Sequence, residues 1–168
     1  LLVSGLGGLA LMAGLLLRGQ IYGTLELTQM MAPGGGPLKS SPLFLPVLFL
    51  VLAGAFTKSA QFPFPIWLPN AMEAPAPVST YLHAATMVKA GIYLLARLNP
   101  ALGFTDLWFW LLSLFGLATM LTGAYLGLKQ NDLKALLAYS TISQLGVLVV
   151  LMGQDTEIAF KALVIGVV

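Results

Sequence analysis

Long apolar runs alternate with short polar or proline-rich stretches along the whole sequence. The first run, residues 1–17, holds no charge and is expected to stop at Arg18. Its small residues Ser4, Gly8, Ala10 and Gly14 form two small-xxx-small pairs, which permit close helix packing. Residues 19–42 read as a polar connection broken by Pro33-Gly34-Gly35-Gly36-Pro37. A second run covers residues 43 to about 62 and contains Lys58; a third covers 78–96. The fourth, 105–128, has Asp106 near its start, Trp108, Phe109 and Trp110 expected at interfacial depth, and Gly123 and Gly127 at GxxxG spacing. The fifth, 132–152, opens on Asp132 as an expected N-cap, and the sixth begins near Thr156.

Runs of 17 to 24 residues match the hydrocarbon thickness of a bilayer when helical. Spanning sheets close into barrels with a two-residue alternation that these runs lack. The pattern therefore predicts an all-α integral membrane protein with about six transmembrane helices. The prolines from Pro63 onward cannot continue a regular helix, so a broken helix is expected around residues 58–77. The apolar beginning and end read as those of an internal fragment of a larger helical bundle. Residues 1–168 are expected to be part of a single transmembrane domain.

Composition sharpens this picture. The 168 residues are 58% hydrophobic and 8% charged, with a mean hydropathy of +0.92, whereas soluble domains carry about 25% charged residues. The lipid bilayer is the solvent such a chain fits. The net charge is +2 and the basic residues are scattered singly, which leaves no patch for nucleic acid. Without cysteine there is no disulfide or thiolate chemistry, and one histidine cannot build an imidazole-rich metal centre. No cofactor and no enzymatic constellation are expected.

The informative residues are ionisable groups inside apolar segments. A charge at the helix centre costs roughly 2.5 to 3.5 kcal/mol, so such groups face protein or water and mark ion paths. Lys58 lies about 15 residues into its segment, or roughly 22 Å along a helix. It could snorkel to the membrane edge. Against that, the sequence stays apolar through Leu68, and a helix broken at this depth frees carbonyls that protein or a wet cavity must satisfy.

The third segment carries a polar stripe. At about 100° per residue, Ser79, His83, Thr86, Lys89, Tyr93 and Arg97 fall within an arc of about 120°, with Leu82 and Leu94 in or near it. A single core histidine would explain His83 alone. In company with a hydroxyl and a lysine, it reads as part of a proton relay, because histidine and a desolvated lysine can both titrate near neutral pH. Lys134 shares a helix face with Thr141 and Gln144, yet it also fits a solvated first turn. Glu157 and Lys161, four apart, suggest a local ion pair.

Two stretches carry a family resemblance. One is Phe56-Thr57-Lys58-Ser59-Ala60-Gln61-Phe62-Pro63-Phe64-Pro65-Ile66-Trp67-Leu68-Pro69-Asn70-Ala71-Met72-Glu73-Ala74-Pro75, with its continuation Pro77-Val78-Ser79-Thr80-Tyr81-Leu82-His83-Ala84-Ala85-Thr86-Met87-Val88-Lys89-Ala90-Gly91. The other is Asp132-Leu133-Lys134-Ala135-Leu136-Leu137-Ala138-Tyr139-Ser140-Thr141-Ile142-Ser143-Gln144-Leu145-Gly146. They resemble the antiporter-like subunits shared by respiratory complex I and the Mrp-type multisubunit sodium/proton antiporters. Met72-Glu73-Ala74-Pro75, Tyr81 and Lys89 are most similar to the A-type member of the Mrp subunits. Pro65 and Ala76 depart from that pattern, where histidine and threonine are usual; the first puts in doubt a proton role at that position.

The resemblance implies that Lys58 is the lysine at the broken helix on a central proton path, that His83 and Lys89 continue it, and that Lys134 lies further along. It also implies a partner glutamate before Leu1 and a distal lysine after Val168. Ser79, Thr86, Tyr93, Thr141 and Gln144 are expected to support the path. The implied function is ion translocation in a multisubunit cation/proton antiporter. The implied partners are other antiporter subunits, protons, sodium or potassium ions and the lipid bilayer. A multi-pass location in a cell membrane, the bacterial inner membrane, follows. The alternative is a proton-pumping subunit of a complex I-type oxidoreductase or a related hydrogenase, and a third possibility is a helical scaffold whose polar groups only pack.

Overall fold

A computed structural model describes residues 2–24, 26–30, 36–81, 87–103, 105–154 and 156–167. The described residues are helical, with no strand among them. In chain order the helices are α1 (Leu2–Tyr22), α2 (Leu27–Met30), α3 (Gly36–Lys39), α4 (Phe44–Lys58), α5 (Trp67–Ala71), α6 (Ala76–Thr80), α7 (Met87–Leu102), α8 (Asp106–Leu128), α9 (Leu133–Gly153) and α10 (Glu157–Val167). Among the described residues α1, α8 and α9 are long and apolar enough to cross a membrane, with α4 a shorter apolar helix. Leu2, Leu6, Leu9 and Met12 on α1, and Leu114, Leu117 and Leu121 on α8, are exposed. Such apolar surface suits lipid or neighbouring helices rather than water.

Two antiparallel helix pairs form the frame, and small residues set their closeness. In the first pair Gly7 of α1 meets Thr57 of α4, and Gly14 meets Val51. A Cβ on Gly54 would lie 2.6 Å from that of Leu11, so only glycine fits. Gly14 is used as the spacing suggested, but Gly8 faces open space. In the second pair a Cβ on Gly116 of α8 would come 2.8 Å from the Gly146 carbonyl of α9. Gly123 lies equally close to Ser143 nitrogen, whereas Gly127 makes only ordinary contact with Tyr139. The working seam is therefore Gly116, Gly123 and Gly146 rather than Gly123 and Gly127.

α7 packs on both α4 and α9 and joins the two pairs. The core it completes contains Val47, Val51 and Ala55 of α4, Val88, Ile92 and Leu95 of α7, and Ile142 and Val149 of α9.

Several boundaries differ from the pattern-based expectation. α1 runs past Arg18 to Tyr22, and Arg18 is wholly buried with its guanidinium 5.6 Å from the centre of the Tyr22 ring. Arg18 therefore lies inside the helix instead of ending it. The connection after α1 holds the short helices α2 and α3, and Lys39 ties α3 to the Gly103 carbonyl at 3.0 Å. Trp108 is a core residue at 0% exposure, whereas Trp110, two positions on, faces outward at 67%. Thr105 caps α8 by accepting from Trp108 nitrogen, while Asp132 holds the N-cap position of α9 without a side-chain cap bond. No ion pair joins the exposed Glu157 and Lys161.

Candidate functional site

The site is built around the end of α4. Lys58 is the last residue of that helix, and the partial negative charge of a helix C-terminus favours an ammonium there. Ser59 and Gln61 nitrogens donate to the Ala55 and Phe56 carbonyls at 3.0 and 2.9 Å. Between them Ala60 takes a left-handed φ of +52°, which closes a Schellman-type cap. An alanine in that region costs about 1 kcal/mol, so the surrounding contacts hold the reversal in place. Ala60 is fully buried.

The Ala55, Phe56 and Thr57 carbonyls at the end of α4 are satisfied by protein, and so are groups in the turn beyond. Trp67 Nε1 donates to the Thr57 carbonyl at 2.8 Å, folding α5 back over the end of α4. Phe64 nitrogen donates to the Gln61 carbonyl at 2.7 Å. Phe62 nitrogen donates to Thr119 Oγ1 of α8 at 2.9 Å. Ser59 Oγ returns to the Ala55 carbonyl at 2.8 Å. Gln61 is buried beside this turn, and no donor reaches its side-chain oxygen among the described residues.

Lys58 itself is half-buried, and no acceptor among the described residues bonds its ammonium. From α7, Gly91 abuts the same helix end: a Cβ there would lie 2.6 Å from the Ala55 carbonyl and 3.0 Å from Ser59 Cβ. Lys89, two residues earlier on α7, is half-buried. It lines a cavity of about 450 Å³ between α7, α9 and α10, together with Thr141, Gln144, Val88 and Leu148. The structure thus groups Thr141 and Gln144 with Lys89, although the helical wheel had grouped them with Lys134. Thr141 also donates to the Leu137 carbonyl at 2.9 Å.

The remaining candidates lie apart. Lys134 is exposed on the first turn of α9 and lines an open basin of about 780 Å³ with Glu73, Asp132 and Asn70. Ser79 is buried and donates to the Ala74 carbonyl at 3.0 Å, closing the α6 turn. Tyr93 is 67% exposed on the outer side of α7. His83 and Thr86 lie outside the described residues, so the stripe is traced only at its two ends. The pattern-based reading missed Trp67, Gln61 and Thr119. Trp67 and Thr119 stand among apolar neighbours and Gln61 lies two positions from Ser59, weak signals that gain meaning only from the backbone groups they meet.

Comparison with known proteins agrees with this architecture. A family model described as NADH:quinone oxidoreductase/Mrp antiporter, transmembrane, matches residues 1–168. A Rhizobium meliloti protein, named as a probable K(+)/H(+) antiporter A/B subunit, is 52% identical over the whole of this chain, which covers 17% of that protein. The Na(+)/H(+) antiporter A-type subunit of Alkalihalophilus pseudofirmus is 53% identical over 91% of this chain and 19% of its own length. Among solved structures, an Mrp complex from a Dietzia species superposes with a TM-score of 0.92 at 46% identity, over 99% of this chain and 18% of that one. The chain spans under a fifth of the length of these relatives. It belongs to the transmembrane family shared by NADH:quinone oxidoreductase and the Mrp antiporters.

Proposed function

We propose that this chain is part of an ion-translocating subunit in a multisubunit cation/proton antiporter of a bacterial cell membrane. In this reading sodium or potassium is exchanged for protons, other antiporter subunits are the partners, and no redox cofactor is held. The membrane is crossed about six times, by α1, by α4 with its broken continuation, by the segment ending in α7, and by α8, α9 and α10. The observation that carries the reading is Lys58 at the C-terminus of a helix broken within an apolar core.

The family resemblance implies a glutamate as the charged partner of Lys58. Protons then pass through water between Lys58, His83 and Lys89, with Thr141 and Gln144 lining the Lys89 cavity and Lys134 at the outer basin. Ser79, Thr86 and Tyr93 act as supporting polar groups.

The test is Lys58→Ala in the full-length protein, within the intact complex, assayed in everted vesicles. Cation-linked proton exchange should be abolished; full exchange would remove Lys58 from the mechanism. The family description also admits a proton-pumping subunit of an oxidoreductase. Neighbouring genes for small antiporter subunits rather than dehydrogenase subunits distinguish the two.

A further inference from the structure

We propose that Thr119 is a positioning residue for Lys58, a role that rests on the proton-carrying reading of that lysine. Thr119 lies in the middle of α8 and is fully buried. Its hydroxyl donates to the Phe115 carbonyl at 2.7 Å, which commits the proton and turns the oxygen lone pairs outward from its own helix. The backbone N–H of Phe62 donates to that oxygen at 2.9 Å. Phe62 is four residues beyond Lys58, on the far side of the left-handed turn at Ala60.

Most bonds that shape the break are local. Ser59, Gln61 and Trp67 all return to α4 carbonyls within a dozen positions. The Thr119 bond comes from 57 positions away and from a different helix. It therefore fixes the break relative to the frame, whereas the local bonds fix only its internal shape. One turn earlier on α8, the Phe115 ring packs on Phe56 of α4 with centroids 5.3 Å apart. Ring contact and hydrogen bond together set both the distance and the rotation of the α4 end against α8. Gly116, next to Phe115, is locked to Gly146 of α9. The same bond thus links the Lys58 turn to the helix pair whose α9 carries Thr141 and Gln144.

A residue of this kind acts through where it holds the turn that carries Lys58, without touching the proton. Thr119→Val keeps the shape and removes the acceptor, leaving the Phe62 N–H unpaired; Thr119→Ser keeps the acceptor. In vesicles bearing the complete complex, Thr119→Val should slow exchange roughly tenfold and move the midpoint of the pH–rate profile by about one unit. Thr119→Ser should retain the parental midpoint. Reduced assembly alone scales the rate at every pH and leaves the midpoint in place. Should Thr119→Val yield no complex, Thr119→Ala takes its place with the same expectation. An unmoved midpoint in the acceptor-free variant, or a serine variant that shifts as far, overturns the proposal. Lys58→Ala is assayed alongside: if it abolishes exchange while the Thr119 midpoints stay fixed, positioning fails and the role of Lys58 stands. If Lys58→Ala exchanges normally, the reading beneath the proposal has failed.

Discussion

Trp67 illustrates how single side chains decide the chemistry at the break. Its indole N–H occupies the Thr57 carbonyl, a group with no partner inside α4 because the helix ends one residue later. Thr57 is 4% exposed, so the carbonyl has little access to water. Trp67→Phe keeps most of the ring and removes the donor. It should destabilise the solubilised protein by about 1 to 2 kcal/mol, read as a lower unfolding midpoint in denaturant. An unchanged midpoint would mean that another donor takes over. Thr119 belongs to the same scale: one oxygen, two bonds, and a helix end held in register. Neither residue stood out in the sequence, because an isolated Trp or Thr in an apolar run has no periodicity to reveal its partner.

At the scale of elements, the α8–α9 pair rests on contact between backbones. Gly146 approaches Gly116 so closely that a Cβ would lie 2.7 Å from its carbonyl oxygen, an atom that cannot rotate away. Gly146→Ala should therefore cost about 1 to 3 kcal/mol by overpacking, despite alanine's better helix propensity. Gly127→Ala, where the nearest neighbour is 3.5 Å away, should be neutral or mildly stabilising. Comparing the thermal stability of the two variants checks which glycines form the seam. The runs themselves, and a break in the proline-rich stretch that follows Lys58, were legible as elements from apolar length and composition. Which glycines pair was not: small residues are frequent on several faces, and the choice depends on how the partner helix is rotated.

For the molecule as a whole, the arrangement separates two lysines that both fall in family-matching blocks. Lys89 lines the cavity between α7, α9 and α10, whereas Lys134 faces an open basin beside Glu73 and Asp132. Salt screens exposed charges far more than enclosed ones. Lys89→Met should therefore slow exchange about tenfold at every ionic strength, while the smaller loss in Lys134→Ala should fade as salt is raised toward about 1 M. Exchange rates over a salt series test this; equal salt dependence in the two variants would place both lysines in one environment.

Residue order alone determined the solvent, the helical class and a break in the region of residues 58–77, because each follows from local chemistry: apolar length, scarce charge, and proline's missing N–H; the left-handed turn at Ala60 that ends α4 at Lys58, ahead of Pro63, did not follow from it. Residue order also supplied the blocks that mark the family. Tertiary structure decided which polar groups meet. Arg18 is buried instead of ending its helix, and Trp108 is turned into the core while Trp110 faces outward. Thr141 and Gln144 stand with Lys89, and Thr119 reaches the backbone of a segment 57 positions earlier. A helical wheel knows only one axis, and these outcomes depend on the rotation and depth of a second helix, which long-range packing sets.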